Sequence, residues 1–550
     1  MNDSTRVDWR PWGPDAFREA ERTAKPVLLS LTATWCGACH EMDARTYAEP
    51  RIAANINDSF VPIRVDVDRH PRVRERYNMG GFPTTAFLTP QGKLLSGATY
   101  LGPDGLRQVL DRIRELWDEN GAAAGRVPRA LVDEPTPSGE LTDTIEQHLA
   151  GQLTEQFDPQ HGGWGTDAKF PLPRTVEFAL KREQQQALQT LDAIAQHLHD
   201  SVDGGFFRFA TARDWSDIRY EKVLPENAAL LRAFANAYLY TGEEAYREPA
   251  ARTVEYLTDE LWTGIAVGGS QGPGQGAAYY TLDADERADH DSPRTDLTVF
   301  AGANALAVDA LLTYSSYTDD ETAKRYAKRI IDALEAELVD TNSGVVTHYR
   351  AGDETGETQL LEDVARVVSA WCRAHQVLGE DRYTAVARRV ADEAIVELQS
   401  ETGAFCDGLA RGEGLCDRPL YPIDTAVEFA DALFELSILT DNSSYHKRAV
   451  KAMEAFAGAW DRIGVQVAGY GSVAARLLGD PLVIDVGGPA GSELHRVACR
   501  VADHERIIIP NAAGLDVDEA SVRTSDEPPA SDPDGLIQQV STAVDRESAD

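Results

Sequence analysis

No stretch of this 550-residue chain approaches the roughly 20 consecutive apolar residues of a membrane span, and residues 1–9 contain no apolar core of a secretory leader. Positive charge is scarce: 53 Lys and Arg face 90 Asp and Glu, a formal net charge of −37, and few of the basic residues are lysine. Nucleic acid and anionic membrane surfaces are therefore excluded as partners, since both would repel the chain. The carboxylates are spread along the whole length, so the charge reads as habitat, that of a cytoplasmic protein in a salt-accumulating organism where salt screens the self-repulsion. Six cysteines do not make a disulfide scaffold. Cys372 and Cys499 read as helix-buried thiols, and Cys406 and Cys416 are close enough to meet across a hairpin. No G-x-G-x-x-G is present, which leaves nucleotide binding without a motif.

What is present is concentrated in two segments, Trp35-Cys36-Gly37-Ala38-Cys39-His40 and Gly81-Phe82-Pro83-Thr84-Thr85. The apolar run 26–31 predicts a buried strand that delivers the CxxC to the start of a helix. At a helix N-terminus, unpaired N–H groups and the dipole stabilise a thiolate, so Cys36 is the expected nucleophile. Cys39, one turn on, is the expected resolving thiol. The same hexad reads literally as the CxxCH of c-type haem attachment, as half of a zinc site with His40 and His70, or as two idle thiols. Haem attachment follows export, and no fourth zinc ligand is advertised, so neither a metal nor a cofactor is expected.

The two segments resemble the active site and facing proline loop of the thioredoxin superfamily. That resemblance implies a cis Phe82–Pro83 bond, supporting roles for Trp35, His40, Phe82 and Pro83, and backbone pairing with an extended substrate peptide. One departure is visible: the buried aspartate of thioredoxins, on the strand before the motif, is Ser30 here.

The thioredoxin-like unit is expected over 1–120 and a linker over 121–140, which includes Asp133-Glu134-Pro135-Thr136-Pro137. Over 141–478 amphipathic helices are predicted at 141–157, 188–199, 227–240, 246–261, 299–314, 321–338, 364–378, 383–398, 427–439 and 445–460. Between pairs stand Gly162-Gly163-Trp164-Gly165, Gly204-Gly205-Phe206-Phe207, Gly268-Gly269, Gly344 to Tyr349, Gly403-Ala404-Phe405 and Gly469-Tyr470-Gly471. Such punctuation is the mark of a repeat. About twelve helices would close as an (α/α)6 toroid, similar to six-hairpin glycosidases and N-acylglucosamine 2-epimerases, with an open α-solenoid as the alternative. Residues 479–516 predict a small strand–glycine–helix–strand cap, and 517–550 a flexible acidic tail with a short helix near 535–544.

Along nearly its whole length the chain resembles the thioredoxin domain-containing family that includes spermatogenesis-associated protein 20, in a haloarchaeal-type form. The resemblance is carried by Val7-Asp8-Trp9, Cys36 to Met42, Phe87 to Lys93, Lys169-Phe170-Pro171, Asp203 to Phe206, Tyr220-Glu221-Lys222 and Leu361-Glu362-Asp363. It implies a multidomain chain, an α/β thioredoxin-like fold followed by an all-α (α/α)6 toroid and a small C-terminal α/β cap.

In the toroid the candidates for a site are Trp164, Asp203, Glu221, Lys222, His348, Glu362 and Asp363, with Glu226, Asp283 and Asp285 also at predicted loop edges. Glu221 and Lys222 are equally readable as a structural ion pair, and the aromatic turns as packing. The expected activity is thiol–disulfide redox exchange through Cys36 and Cys39, with protein thiols or disulfides and an unidentified reductant as partners and a carbohydrate-like ligand in the toroid. A carbohydrate epimerase or hydrolase with an accessory thioredoxin fold, and a non-catalytic protein-binding scaffold, are the alternatives.

Overall fold

The computed structural model describes residues 5–132 and 136–547; the start of the segment read for a leader and the Asp133-Glu134-Pro135 part of the linker lie outside the described residues. β1 (Arg10–Pro11) and α1 (Pro14–Thr23) precede β2 (Val27–Thr32), which is buried at every position. α2 (Gly37–Met42), α3 (Pro50–Ser59), β3 (Val61–Asp66), α4 (Pro71–Tyr77), β4 (Thr84–Leu88), β5 (Leu94–Ala98) and α5 (Pro103–Asn120) complete the unit. Its sheet has the order β1-β3-β2-β4-β5, with β1, β3 and β2 parallel and β4 and β5 antiparallel. Two parallel strands need a crossover helix between them, which α2 and α3 supply between β2 and β3. The Phe82–Pro83 bond is cis, as the resemblance implied.

The helical part is a closed ring. Its elements are α6 (Thr144–Gln156), α7 (Pro173–Arg182), α8 (Gln184–His197), α9 (Leu224–Thr241), α10 (Glu244–Asp259), the short α11 (Ala277–Tyr280) and α12 (Ala284–Ala288), then α13 (Ala301–Thr318), α14 (Glu321–Glu337), α15 (Leu361–Leu378), α16 (Asp381–Leu398), α17 (Ile423–Leu439), α18 (Ser443–Ala457) and α19 (Gly469–Leu478). α7, α9, α13, α15, α17 and α19 pack side by side as the inner ring, and α19 returns onto α7. That seam needs a glycine: a Cβ on Gly471 would lie 2.9 Å from Phe178. α8, α10, α14, α16 and α18 back their inner partners from outside, and α6, the first helix, backs the last, α19. This is an (α/α)6 toroid.

Two inner helices depart from the expectation. α7 was not anticipated, and Gly469-Tyr470-Gly471, read as a turn, is the first turn of α19.

Three of the other repeat glycines share one task. Gly162, Gly204 and Gly344 sit at φ of 71°, 77° and 83°, where L side chains rarely go. A Cβ on them would lie 2.9, 2.3 and 2.3 Å from the carbonyls of Gln189, Arg252 and Arg389, each on an outer helix. Two loops are also pinned from within by a buried lysine. Lys169 bonds Asp158 (3.0 Å) and the carbonyls of Gly162 and Gly165, and Lys222 bonds Asp200 (2.7 Å) and the carbonyl of Gly204.

The C-terminal unit is a three-stranded sheet in which Val483–Val486 pairs parallel with Ile507–Pro510 and antiparallel with Ala520–Val522. α20 (Glu493–Cys499) and α21 (Pro533–Glu547) accompany it. The segment expected as a flexible tail thus supplies an edge strand and a helix, and Leu536 of α21 is fully buried. Residues 503–505 plug the far end of the ring: Asp503 and Glu505 pair with Lys181 and Arg182, and His504 bonds the Tyr240 hydroxyl at 2.9 Å. Below the plug's level the axis is filled by ion pairs joining Arg232 to Glu177 and Asp309, and Arg373 to Asp309.

The thioredoxin-like unit covers the other mouth through α4 and the residue run before it. Arg69 pairs with Glu354 (3.0 Å), and Arg72 with Glu357 (3.0 Å) and the carbonyls of Arg411 and Cys416. Arg74 lies 3.7 Å from Glu362. Arg76, its side chain wholly buried, bonds Asp407 and the carbonyls of Leu415 (2.8 Å) and Arg418 (2.6 Å). Removing one partner of such a pair strands the other charge away from water. Arg76→Met is therefore expected to destabilise the protein by about 3–5 kcal/mol in chemical denaturation followed by tryptophan fluorescence, with most of the loss recovered in Arg76→Met/Asp407→Leu. A loss below about 1 kcal/mol would mark the contact as an ordinary solvated ion pair.

Candidate functional site

Cys36 stands immediately before α2 and its Sγ accepts a hydrogen bond from the Cys39 N–H at 3.1 Å, as a sulfur at a helix start does. The two sulfurs are joined as a disulfide. Cys36 and Cys39 are only 4% and 3% exposed and belong to an apolar cluster built mostly on the thioredoxin-like unit. Pro273 occupies the space above Gly37, where a Cβ would meet Pro273 Cγ at 3.0 Å, and Gly272 faces the Thr34 carbonyl and Trp35 Cα. Pro83 is buried and His40 is exposed.

Beside Trp35 and Phe82 opens a cavity of about 550 Å³ on the toroid axis, which neither cysteine lines. Its thioredoxin side is Trp35, Asp68, Arg74 and Phe82, with the Trp35 and Phe82 rings edge to face at 5.9 Å. Its toroid side is built from the first turns of inner helices: Arg174 of α7, Glu226 of α9, Ala303 of α13, Glu362 and Asp363 of α15, and Asp424 of α17. Acidic side chains there are favoured by the positive ends of the helices. Arg208 spans the two sides, lying 4.4 Å over the Trp35 ring and pairing with Glu221 (3.3 Å) and Glu226 (3.8 Å).

One hydrogen-bonded chain crosses from the dithiol to the ring. Trp35 Nε1 donates to Asp68 Oδ2 (2.8 Å), His348 Nε2 to the Asp68 carbonyl (2.7 Å), His348 Nδ1 to Asp363 Oδ2 (2.8 Å), and the Gly302 N–H to Asp363 Oδ1 (2.9 Å). Burial alone favours the neutral imidazole, but with an acceptor on each ring nitrogen and Asp363 opposite, the His348 pKa is raised to about 9. Burial pushes Asp68 up, against the Trp35 hydrogen bond and the Arg74 charge. Burial likewise raises Glu226, which Arg208 only partly offsets. At Glu362 burial is outweighed by Arg366 and Arg74, and its carboxyl falls to about 2.

Of the residues singled out from the sequence, Trp35, Phe82, Glu226, His348, Glu362 and Asp363 meet at this cavity. Trp164 is instead packed in the ring core beside Phe157. Asp203 pairs with Arg287. Glu221 and Lys222 do not pair with each other: Glu221 bonds Arg208, while Lys222 is buried on Asp200 among Phe207, Tyr256 and Tyr280. Asp283 caps α12. Cys406 and Cys416 are free thiols rather than a second pair. The sequence reading passed over Asp68, Arg74, Arg208 and Arg366. One signal was available, four arginines between positions 69 and 76 of a chain with net charge −37.

Because the His348 pKa in the folded protein lies above its ordinary 6.5, the stability it contributes is complete below about pH 6.5 and is lost as pH rises through about 9. Melting temperature measured from pH 6 to 10 is expected to fall more steeply for the wild type than for His348→Gln, by the equivalent of roughly 2–3 kcal/mol across that window. Parallel curves would remove His348 from the linkage.

Residues 1–134 match the family Thioredox_DsbH, described as a protein of unknown function, DUF255. Over 294 residues the chain is 31% identical to spermatogenesis-associated protein 20 of Homo sapiens, a match covering 46% of this chain and 37% of that one. Over 101 residues it is 33% identical to the thiol:disulfide interchange protein DsbD of Vibrio vulnificus, covering 18% of this chain and 17% of the other. The match therefore spans well under half the length of the relatives. Among solved structures, cellobiose 2-epimerase from Bacillus thermoamylovorans aligns at 13% identity with a TM-score of 0.46, covering 56% of this chain and 86% of that one. No helix among the described residues is long and apolar enough to cross a membrane. The chain carries a Thioredox_DsbH domain at its N-terminus and is a homologue of spermatogenesis-associated protein 20 across almost half its length.

Proposed function

We propose that the protein is a thiol–disulfide oxidoreductase whose Cys36–Cys39 pair acts on a substrate presented through the toroid cavity rather than from open solvent. The observation that carries this reading is that Trp35 and Phe82, the neighbours of Cys36 and Pro83, are walls of the cavity while both cysteines are buried and Pro273 lies over Gly37 between them. Cys36 is the nucleophile because its sulfur already accepts the N–H at the start of α2, a contact that stabilises a thiolate more than a thiol. Cys39, deeper on the same turn, resolves the mixed disulfide. Arg208 and the Trp35–Asp68–His348–Asp363 chain hold the wall that carries Trp35 against the ring.

The test is equilibration of the full-length protein with reduced and oxidised dithiothreitol, followed by acid quench, alkylation and mass measurement. One reversible two-electron transition of Cys36–Cys39 is expected, absent in Cys36→Ser, with Cys39→Ser accumulating a mixed disulfide at Cys36. A disulfide that dithiothreitol never opens in the native protein, or exchange that survives in both variants, overturns the reading.

A further inference from the structure

Resting on that redox reading, we infer that residues 272–294 form a strap that gates the dithiol, with Arg287 as its latch: the disulfide exchanges when the strap lifts and is shielded when it is seated. Neither cysteine lines the cavity, so a substrate held there meets a sulfur only after something between them moves. The root of the strap stands in that place. It leaves the toroid from the strand Ser270–Gln271 and returns through Thr295–Asp296, the two paired antiparallel, and the Gly272 N–H donates to the Arg294 carbonyl at 2.8 Å. On one side of the root, Gly269 is in the cavity wall, and so is Val223, whose strand Lys222–Val223 pairs with Ser270–Gln271. On the other side the root meets the chain on both flanks of Cys36. A Cβ on Gly272 would lie 3.9 Å from the Thr34 carbonyl oxygen and from Trp35 Cα, and one on Gly37 would lie 3.0 Å from Pro273 Cγ. Val223 belongs to the same apolar cluster as Cys36 and Cys39.

The way the strap is held is the second ground. Between residues 281 and 292, Arg287 alone is buried. A segment with so few buried contacts opens more readily than the ring it hangs from. Arg287 bonds both oxygens of Asp200 at 2.9 and 3.0 Å, Asp203, and the Tyr280 carbonyl at 2.9 Å. Tyr280 passes the hold on to the root: its hydroxyl donates to the Gly272 carbonyl at 3.2 Å, and its ring stacks on Tyr220. Among the described residues no hydrogen bond joins 272–294 to the turn from Thr34 to His40. The strap is therefore seated on the CxxC by packing and fastened on the toroid. Losing the latch leaves Asp200 still paired with Lys222 at 2.7 Å, so the loop beneath keeps its own staple.

Gating of this kind is read from a rate. When exchange passes through the lifted state, the observed rate is the lifted fraction multiplied by the rate of the exposed disulfide. With dithiothreitol, one thiolate attacks Cys36 Sγ, the Cys36–Cys39 bond breaks, and Cys39 leaves as a thiolate that takes up a proton. The second dithiothreitol thiolate then attacks its own sulfur in the mixed disulfide and releases Cys36. Cyclic oxidised dithiothreitol and the protein dithiol result, two electrons having passed to the protein.

The experiment measures how fast dithiothreitol opens the disulfide of the oxidised full-length protein, by acid quench, alkylation and mass, beside hydrogen exchange of the amides of residues 272–294. In Arg287→Gln opening is expected to be at least about tenfold faster than in the wild type, the effect on a closing equilibrium of one lost hydrogen bond to a charged group. The strap amides are expected to exchange faster as well, with Arg287→Lys in between on both readouts. Pro273→Ala keeps the latch, removes the ring carbon over Gly37, and decides the matter should Arg287→Gln not fold. It is expected to open at least about threefold faster. A wild-type opening rate in either folded variant overturns the inference while leaving the redox reading in place. A disulfide that dithiothreitol opens in none of the proteins overturns the redox reading itself.

Discussion

Everything in this molecule depends on where four arginines end up. Arg69 just before α4, Arg72 and Arg76 on one face of it and Arg74 on another all reach out of the thioredoxin-like unit, and none of them finds its partners wholly within that unit. Buried guanidinium groups demand carboxylates and carbonyls with fixed geometry, and the toroid supplies them at Glu354, Glu357, Glu362, Asp407 and the 411–418 loop. Guanidinium forks are directional, so the contact fixes orientation as well as affinity. With α4 seated, Trp35 at the front of the sheet faces the axis of the ring, while Gly37 lies under Pro273.

The ring, for its part, is asymmetric along its axis. At the end where inner helices finish, residues 503–505 and a lattice of ion pairs leave little open space, and each charge there has a buried counterpart. At the end where inner helices begin, ion pairs such as Arg366–Glu428 and Arg174–Glu428, both 3.1 Å, stand in the wall and leave the axis open, and the roof over the opening is the thioredoxin-like unit. The volume beside Trp35 and Phe82 is thus the joint product of a plug at one end and a lid at the other. Neither half of the chain has that volume alone, because Trp35, Asp68, Arg74 and Phe82 form one wall and first turns of the inner helices the other.

How much of this could be read beforehand follows from how local each signal is. The CxxC helix, the strand that delivers it and the facing proline are short-range features, and they were legible. Ten helices were legible as well, because their apolar stripes are long. α7 escaped because it runs almost without a break into α8 at Glu183, and α19 because two of its first three residues are glycines whose job is close packing at the seam. The strand Ala520–Val522 has three residues and little β character of its own; pairing with Val483–Val486 makes it a strand. At the site, His348, Glu362 and Asp363 were legible as loop-edge residues of the ring. Asp68 and Arg74 were not, because they belong to the other fold and meet the ring only after docking. Lys222 and Trp164 stood out for the opposite reason: they hold repeat loops together, and structural staples look from sequence much like a site.

The electrostatics around the disulfide take their form from the same docking. Behind the sheet, where thioredoxins bury an aspartate, Ser30 stands opposite Thr85 in register, and the Tyr47 hydroxyl bonds Thr85 at 3.0 Å. All three are buried, and none carries a charge at neutral pH. A proton leaving or reaching the dithiol has no buried carboxylate at that position to receive or give it. In front the charged groups are dense: Asp68 one hydrogen bond from the Trp35 ring, Arg208 stacked on that ring, and His348 and Asp363 beyond. The charged groups around the Trp35 ring therefore stand at the interface with the toroid, where the interior of the thioredoxin-like fold has none opposite Ser30.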